Sequence, residues 1–364
     1  MTEIKAAVSR DYSLNVSMET LNIKEPGEGE VLVKLAATGV CHTDIKVATW
    51  EGRSPRPVVL GHEGAGVVEA VGPGIHDLEV GDHVVMTFTW CGICPSCRDA
   101  HPAYCYTTDH FACTRPDGST PLTGEKGAVH GDFFNQSSFA TYGIGRRNGI
   151  VKVRKDAPLN ILGPLGCGIQ TGAGTVLNIF KMKPGQTIAV FGAGSLGLSA
   201  VMAAKISGAG RIIAVDIHDN RLELAKELGA NHVLNGRDGP VSDQIKDLLG
   251  DGVNFAFDTT TLEPVMQDAL KSLARRGTFS YAAGTESGTL TVPLMPMMAD
   301  KKIIGMLEGD SNPNVFIPQL IDFYMDGKFP FDKLITYYPF EDIEKAFHDS
   351  ETGQTIKPVL VMDQ

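Results

Sequence analysis

The sequence predicts an α/β fold that combines a β-rich part with a doubly wound parallel sheet. With 364 residues, the chain is long enough for two domains of ordinary size. In residues 1–150, short apolar runs such as EVLVKLAATGV and DHVVMTF alternate with Gly, Pro and Asp turns, which is typical of strands. From near residue 165, strand and helix patterns alternate instead. Such alternation indicates a parallel sheet with helices on both faces.

The elements of the alternating part follow one another regularly. TIAVF is a predicted strand, SLGLSAVMAAKISG a helix that begins at Ser195, RIIAVDI a second strand and NRLELAKELGA a helix that ends at Gly229. VNFAFDT, a helical pattern around PVMQDALKSLA, and GTFSYAAG continue the series. After KKIIGM, residues 301–306, the alternation stops, and IKPVLVM predicts a last strand.

A Gly-rich turn joins the first strand and helix of this series. GAGSLG, residues 192–197, matches G-x-G-x-x-G, and Asp216 ends the next predicted strand 22 residues beyond Gly194. In this context Gly192 permits a tight turn, Gly194 lets the backbone approach a pyrophosphate at the helix N-terminus, and Gly197 lets the helix pack on the sheet. Asp216 would bind the adenosine ribose and repel a 2′-phosphate, so the motif predicts a Rossmann domain that prefers NAD to NADP. A structural turn without a ligand is the alternative.

Four of the seven cysteines are crowded into a short segment. Cys91, Cys94, Cys97 and Cys105 have the spacing C-x2-C-x2-C-x7-C. Four thiolates suit a closed tetrahedral zinc site with no open position for chemistry. An iron–sulfur cluster is the rival, but ferredoxin-type runs have a different spacing. Four unrelated core cysteines are the other alternative. We predict a structural zinc that stabilises a lobe with little core of its own.

Three further side chains suit a catalytic zinc, although they lie far apart in the sequence. Cys41 lies in GVCHTD, His62 in VVLGHEGAG and Cys167 in GPLGCGIQTG. Two cysteines and one histidine are a known ligand set that leaves a fourth position for water or substrate. Sequence alone does not bring the three together, and a His in a Gly-rich loop is commonly an ordinary polar residue. On the residues alone, the metal and non-metal interpretations are equally open.

Charge and composition exclude several functional classes. The net charge of −11 argues against nucleic acid and against an anionic membrane surface. The most apolar stretch, residues 188–204, is Gly-rich and fits a strand-turn-helix better than a membrane span. The first residues lack the apolar core of a signal peptide, so we expect a cytoplasmic protein with reduced thiols. Its expected partner is a small molecule.

With these motifs identified, the chain resembles the zinc-dependent medium-chain alcohol dehydrogenases. GHEGAGVVEAVGPGI, residues 61–75, fits that family's zinc signature, and CHTD, CGICPSC, GCGIQTGAG and GAGSLG all occur in the family's order. A narrower resemblance is to the aryl-alcohol (benzyl alcohol) and allylic terpene-alcohol (geraniol-type) dehydrogenases. It is carried by GCGIQTGAG, FFNQSSF and EGDSNPNVFIPQLI.

The resemblance implies a domain organisation and a metal content. It implies a β-rich, GroES-like catalytic domain formed by residues 1–167 and 307–364, and a Rossmann NAD-binding domain at 168–306. It also implies catalytic zinc on Cys41, His62 and Cys167 and structural zinc on the four clustered cysteines, hence two zinc ions per chain. Cys113 matches no family ligand. A homodimer or homotetramer is expected from the family alone.

The implied reaction is the reversible oxidation of a primary alcohol to an aldehyde, with NAD as hydride acceptor and zinc as Lewis acid. Thr43 would accept the alcohol proton, and Asp44 would orient His62. Glu63 would lie behind the metal. Helix N-capping is the alternative role for Thr43 and Asp44. Many relatives end the proton relay at a histidine where this chain has Lys46, and a lysine is a poor base unless its pKa is strongly depressed.

The resemblance also implies cofactor and substrate contacts. Besides the Gly-rich turn and Asp216, the implied cofactor contacts are His42, Thr171, Ser195, Leu196, Arg221 and Lys357. His42 would contact the pyrophosphate, Arg221 the adenosine ribose and Lys357 the phosphates; solvated surface charge is the alternative for both bases. The implied substrate cleft is lined by Trp50, Thr87, Phe133, Phe134 and Leu307. Aromatic walls favour flat apolar ligands, and ordinary core is the alternative for these residues.

Three other functions remain as alternatives. A glutathione-linked formaldehyde dehydrogenase or a polyol dehydrogenase could use the same scaffold. The former would need basic residues near the cleft mouth, and polyol enzymes usually replace one catalytic cysteine by an acid, whereas Cys167 is present. A non-catalytic nucleotide-binding protein is disfavoured by the three ligands together with Thr43. Aryl and terpenoid alcohols are equally compatible with the sequence.

Overall fold

A computed structural model of the chain describes residues 1–283, 285 and 287–362, which divide into two compact units. The first unit comprises Met1–Gly168, Asn312–Met325 and the segment from Asp332 onward, and the second comprises Ile169–Ser311 and Asp326–Phe331. The domain boundaries implied by the resemblance, at residues 167 and 306, stay a prediction.

The described part of the chain contains 18 strands and ten α-helices. The strands are β1 (Thr2–Ser9), β2 (Ser17–Ile23), β3 (Glu30–Gly39), β4 (Val58–Val59), β5 (Gly64–Val71), β6 (His83–Met86), β7 (Leu122–Gly124), β8 (Gly127–Val129), β9 (Tyr142–Arg146), β10 (Ile150–Lys152), β11 (Thr187–Phe191), β12 (Arg211–Asp216), β13 (His232–Asn235), β14 (Val253–Asp258), β15 (Leu273–Tyr281), β16 (Lys302–Gly305), β17 (Ile335–Pro339) and β18 (Lys357–Val361). The α-helices are α1 (His42–Thr49), α2 (Pro95–Arg98), α3 (Gly168–Gly174), α4 (Ser195–Ile206), α5 (Asp219–Leu228), α6 (Val241–Leu249), α7 (Glu263–Lys271), α8 (Leu294–Met297), α9 (Pro313–Met325) and α10 (Ile343–Glu351).

The first unit is the predicted β-rich part and contains two sheets. The smaller sheet is antiparallel with strand order β4-β1-β2-β7-β8. The larger sheet has the order β10-β6-β5-β3-β18-β17, with β9 also paired to β3, and only β17 and β18 run parallel. Apolar residues of these strands and of the segments between them form one continuous core, which includes Val33, Val68, Phe139 and Leu360.

The pairing of β3 with β5 positions the first unit's polar site. In this antiparallel pair Thr38 lies opposite Gly64. The residues that follow β3 therefore lie beside the residues that precede β5. Those two segments contain Cys41 and His62, which are 21 positions apart in the sequence.

The second unit is a parallel sheet of six strands in the order β13-β12-β11-β14-β15-β16. All of its strand pairs are parallel. Counted from β11, this is the doubly wound order 3-2-1-4-5-6 that binds dinucleotides at its point of reversal. The fold class predicted from the sequence is thus confirmed. Sequence reasoning did not single out β13 or α6, because β13 is a four-residue strand of half-buried side chains.

The helices do not suggest insertion into a bilayer. In the described ranges, every helix is too short or too polar to cross a membrane. The longest α-helix of the first unit, α9, buries Phe316, Ile317 and Leu320 and is an ordinary packed surface helix.

Candidate active site

Three predicted metal ligands, Cys41, His62 and Cys167, come together inside the first unit. One ligand atom from each, together with a carboxylate oxygen of Glu63, lies within 4.8 Å of the others. Cys41 is the N-cap of α1, His62 precedes β5, and Cys167 follows the short helical turn at 163–166. The thiol of Cys167 lowers the pKa of Cys41 through a hydrogen bond, which outweighs the opposing effect of burial. A lowered thiol pKa favours the thiolate that a metal requires.

Asp44 fixes the orientation of the His62 imidazole. Its Oδ1 lies 2.8 Å from Nδ1 of His62, and its Oδ2 accepts a hydrogen bond from the backbone N–H of Cys41 at 3.0 Å. Asp44 therefore both orients the histidine and caps α1, so the two roles weighed from the sequence coexist. The other ring nitrogen of His62, Nε2, is buried without a hydrogen-bond partner. An orphaned buried nitrogen is costly unless a ligand satisfies it.

Burial and the negative charge of Asp44 shift the pKa of His62 in opposite directions. Burial lowers the pKa of His62, but the negative charge and hydrogen bond of Asp44 outweigh burial, and the pKa is raised well above its ordinary value. A cation at Nε2 would have to displace that proton, as metal binding to histidine generally does.

Lys357 occupies a place that the resemblance did not imply. Its Nζ lies 2.9 Å from both carboxylate oxygens of Glu63 and 3.2 Å from the carbonyl oxygen of Val40. Both charged groups are buried. Neither the phosphate contact implied for Lys357 nor solvated surface charge describes this arrangement, because its ammonium is committed to Glu63 in the interior. Burial raises the pKa of Glu63 to about 7 against the opposing charge of Lys357.

The four clustered cysteines form a second group of metal-ligating atoms. The Sγ atoms of Cys91, Cys94, Cys97 and Cys105 all lie within 4.8 Å of one another. Backbone N–H groups point at them: those of Ile93 and Cys94 donate to Cys91, and that of Cys91 donates to Cys105. Burial opposes ionisation of Cys105, but hydrogen bonds led by Thr108 lower its pKa to about 5. The group matches the donor set of a structural zinc.

The residues implied as substrate-cleft walls differ in accessibility. Phe133 and Thr87 are fully buried, and the Thr87 hydroxyl donates to the carbonyl oxygen of Gly166 at 2.6 Å. Phe134 is only 8% exposed, whereas Trp50 is 60% exposed. Phe133 and Thr87 are therefore closed off from solvent, and the role of these residues as substrate contacts stays a prediction. Leu307, which is exposed, belongs to the second unit.

The Gly-rich turn of the second unit has the features of a dinucleotide site. Gly192 has a φ of +93°, and a Cβ on Gly197 would lie 1.8 Å from the carbonyl oxygen of Gly192. A Cβ on Gly194 would meet nothing within 4 Å, so the backbone there is open to a ligand. Ser195 begins α4 and Leu196 follows it, which places both beside this opening at the helix N-terminus.

Asp216 is tied to the same turn. Its Oδ2 accepts the backbone N–H of Ala193 at 2.7 Å, and its Oδ1 accepts those of Ile217 and His218. Nη1 of Arg221 lies 3.9 Å from Oδ2. The carboxylate is thus held at the carboxyl end of β12, where the motif predicts the ribose.

The remaining predicted site residues lie on helix α1 and in the second unit. His42 and Lys46 are exposed on α1, and Thr43 is half-buried between them. In the second unit, Oγ1 of Thr171 donates to Glu308 at 3.4 Å. These positions leave the relay and cofactor roles of the four residues as predictions.

Sequence reasoning missed Gln136 and Arg146. The Gln136 side chain donates to the carbonyl oxygen of His62 at 2.8 Å and accepts from the N–H of Gly64 at 3.0 Å, so it holds the backbone around the ligand. Arg146 holds the loop at 132–135. The only sequence signal for Gln136 was its place in FFNQSSF, which was used solely for the family resemblance.

Two family descriptions match the chain. Residues 27–155 match the alcohol dehydrogenase GroES-like domain, and residues 195–325 match the zinc-binding dehydrogenase domain. Among proteins of known name, the chain is 42% identical to a geraniol dehydrogenase of Castellaniella defragrans over 98% of this chain and 97% of the relative.

The chain is also similar to solved structures of alcohol dehydrogenases. The chain superimposes on a zinc-binding-domain alcohol dehydrogenase protein from Burkholderia ambifaria with a TM-score of 0.98 at 46% identity. It superimposes on a benzyl alcohol dehydrogenase from Acinetobacter calcoaceticus with a TM-score of 0.96 at 42% identity. Both comparisons cover 100% of each chain.

Proposed function

Because this chain belongs to the zinc-binding alcohol dehydrogenase family, we propose that it reversibly oxidises primary aryl or allylic alcohols to aldehydes, with NAD as the hydride acceptor. The observation that carries the proposal is the buried group of Cys41, His62 and Cys167, with the unpartnered Nε2 of His62 among the ligand atoms. Relatives named for a terpenoid and for an aryl alcohol, at 42% identity over nearly the whole chain, support the substrate class.

The donor sets fit two zinc ions. Two thiolates and one imidazole leave a fourth position for substrate, and four thiolates leave none. We therefore assign the catalytic zinc to Cys41, His62 and Cys167 and the structural zinc to the four clustered cysteines. When bound, the catalytic zinc supplies Lewis-acid polarisation of the alcohol oxygen.

The chain's own residues position the reaction and move its proton. Asp44 holds the His62 imidazole by Nδ1, which keeps Nε2 available as a ligand. The Thr43 hydroxyl accepts the proton of the substrate alcohol. Glu63, neutralised by Lys357, lies behind the ligand atoms and adds no net negative charge to them.

Cofactor choice is assigned to Asp216. A carboxylate held at this position accepts the ribose hydroxyls of NAD and repels the 2′-phosphate of NADP. Arg221, which could otherwise receive that phosphate, lies beside Asp216. His42 and Thr171 are proposed as further cofactor contacts.

We further propose that the protein works in a reducing compartment and self-associates. All seven cysteines are free, and the proposed metal ligands need to stay reduced, which fits the cytoplasm. Strand β16 is an edge strand of the described sheet, and Leu294, Met295 and Met298, which precede it in the sequence, are exposed. Exposed apolar side chains and an unpaired strand edge suit a homodimer or homotetramer.

The direct test is NADH formation from benzyl alcohol or geraniol by the purified protein. The matched control is Cys167→Ser, which removes one catalytic ligand. We expect turnover by the wild-type protein and none by the variant. Absence of turnover with both alcohols in a wild-type protein that contains two zinc ions would contradict the proposal.

A further inference from the structure

The loop that contains Phe134 has an unusual backbone. Asp132, Phe134, Asn135 and Ser137 have φ values of +68°, +49°, +67° and +50°, although none of them is glycine. For a bulky residue such as Phe134, the left-handed region is a genuine outlier. Such a strained conformation persists only where the surroundings enforce it, commonly at functional sites.

Arg146 enforces this conformation from strand β9. Its backbone N–H and its Nε both donate to Oδ1 of Asn135 at 2.8 Å, and its Nη2 donates to Oδ2 of Asp132 at 3.2 Å. The two clamped residues flank the aromatic pair on either side. Because Arg146 itself is paired with Glu30 in the larger sheet, the loop is anchored to the rigid core.

The loop presents the Phe134 ring to the face of His62. The two rings are stacked, with centroids 4.5 Å apart and planes at 29°. On its other side Phe134 stacks on His110, with centroids 4.8 Å apart and planes at 12°. Phe133 approaches His62 at right angles, with centroids 5.6 Å apart.

Asp44 and Phe134 constrain different motions of the imidazole. The hydrogen bond from Nδ1 of His62 to Asp44 lies at one edge of the ring. It restrains that edge but leaves a tilt of the imidazole by combined rotation about its Cα–Cβ and Cβ–Cγ bonds. A ring stacked on the imidazole face opposes that tilt, which is the motion that would move Nε2 away from the two cysteine thiolates. His110 backs the Phe134 ring, so Phe134 cannot yield without displacing it.

We propose that Phe134 is a positioning residue for the His62 imidazole, set in its strained conformation by Arg146, and that it holds Nε2 on the metal site. The proposal rests on the assignment of His62 as a metal ligand in the proposed function. It gives Phe134 a task separate from contact with the substrate.

The test is the rate at which a coloured chelator removes zinc from the holoenzyme. The Cys167→Ser variant lacks the catalytic zinc and so identifies which kinetic phase belongs to that site. Phe134→Leu keeps an apolar side chain without β-branching but loses the ring, and Phe134→Tyr keeps the ring. Phe347→Leu is the matched control, since Phe347 is also a buried aromatic residue of the first unit and packs against another ring, that of Phe139, with centroids 5.7 Å apart.

We expect Phe134→Leu to release the catalytic zinc about 10-fold faster or more, the range seen when residues that support a metal ligand are removed. The structural-zinc phase should not change, and Phe134→Tyr should behave like the wild type. Equal catalytic-phase rates in Phe134→Leu and the wild type, or equal acceleration in Phe134→Leu and Phe347→Leu, would overturn the proposal. So would a Phe134→Tyr variant that releases zinc as fast as Phe134→Leu.

A second variant tests the clamp without touching an aromatic ring. Arg146→Gln should also accelerate the catalytic phase, by a smaller factor. Its matched control is Arg147→Gln, because the side chain of the neighbouring Arg147 donates its hydrogen bonds to Asp77 and to the carbonyl oxygen of Ile150. If both variants behave alike, the clamp is contradicted.

Zinc release is measured without turnover. The experiment therefore distinguishes a wrong role for Phe134 from a wrong proposed function. A wild-type protein that holds two zinc ions but oxidises no alcohol would contradict the function and leave the release comparison intact. Cobalt substitution gives an independent readout, since a tilted imidazole should shift the visible bands of the catalytic site in Phe134→Leu and not in Phe347→Leu.

Discussion

The ammonium of Lys357 lies 2.9 Å from both carboxylate oxygens of Glu63, in the interior of the first unit. The two residues are 294 positions apart in the sequence. Glu63 directly follows a proposed zinc ligand, so this ion pair connects the last strand of the chain to the candidate active site.

The ion pair predicts an asymmetric response to mutation. Lys357→Met leaves the Glu63 carboxylate buried and unpaired, and we expect a loss of about 3–5 kcal/mol in the free energy of unfolding. Adding Glu63→Gln should recover more than half of that loss. Urea denaturation of the wild type, Lys357→Met, Glu63→Gln and the double variant provides the double-mutant cycle.

The matched control for this cycle is Lys5→Met. Lys5 pairs with Glu341 at 2.7 Å, and the two side chains are 51% and 42% exposed. An exposed pair contributes about 0–1 kcal/mol. A Lys357→Met variant that loses no more stability than Lys5→Met would contradict a buried charge pair.

The two cysteine groups predict different consequences of losing a ligand. Elemental analysis should find two zinc ions per chain. Cys94→Ser should lose one of them and lower the melting temperature, because a structural zinc contributes directly to folding. Cys167→Ser should keep a near-wild-type melting temperature and lose turnover. Equal melting temperatures for the two variants, or a wild-type protein with fewer than two zinc ions, would contradict the assignment.

Asp216 predicts a change in cofactor preference. The wild type should use NAD with a much higher kcat/KM than NADP, because the carboxylate repels the 2′-phosphate. Asp216→Ala should bring the ratio of kcat/KM for NAD to kcat/KM for NADP closer to one. It should also raise KM for NAD, since the hydrogen bond from the backbone N–H of Ala193 is lost as well. Steady-state kinetics with both cofactors measures the ratio. Equal kcat/KM values in the wild type would rule this role out.

Thr43 predicts a loss of proton transfer without a loss of metal. Thr43→Ala should reduce kcat by about 10²–10⁴-fold, the usual contribution of a positioned acid–base group. Its zinc content should match that of the wild type, and Thr43→Ser should retain much of the activity. Lys46→Met should leave the pH–rate profile nearly unchanged; a missing limb would show that Lys46 takes part in the relay.

Local sequence patterns were sufficient for some of these sites. The distance from Gly194 to Asp216 predicts the geometry of the nucleotide turn, because one strand, one turn and one helix separate them in any βαβ unit. The four cysteines are so close in sequence that a short loop brings their thiols together. Asp44 lies on the same helical turn as its capping partner Cys41, so its position also follows from local structure.

Long-range packing accounts for what the sequence did not reveal. Nothing in IKPVLVM indicates that the side chain of Lys357 turns inward, because its partner comes from the other end of the chain. The family resemblance implies that Phe133 and Phe134 are cleft walls, but the backbone around them is set by hydrogen bonds from Arg146, which a pattern of residue types does not encode. Burial of Thr87 is likewise a product of tertiary contact with Gly166.

The central claim is most directly tested by a steady-state substrate panel. It comprises benzyl alcohol, cinnamyl alcohol, geraniol, ethanol, sorbitol and the glutathione adduct of formaldehyde. Burial of each extra CH₂ contributes roughly 0.8 kcal/mol, so a larger conjugated alcohol gains several kcal/mol over ethanol, part of which appears in kcat/KM. We predict that the aryl and allylic alcohols exceed ethanol by about 10²-fold or more in kcat/KM. A panel in which ethanol, sorbitol or the glutathione adduct is the best substrate would contradict the proposed function.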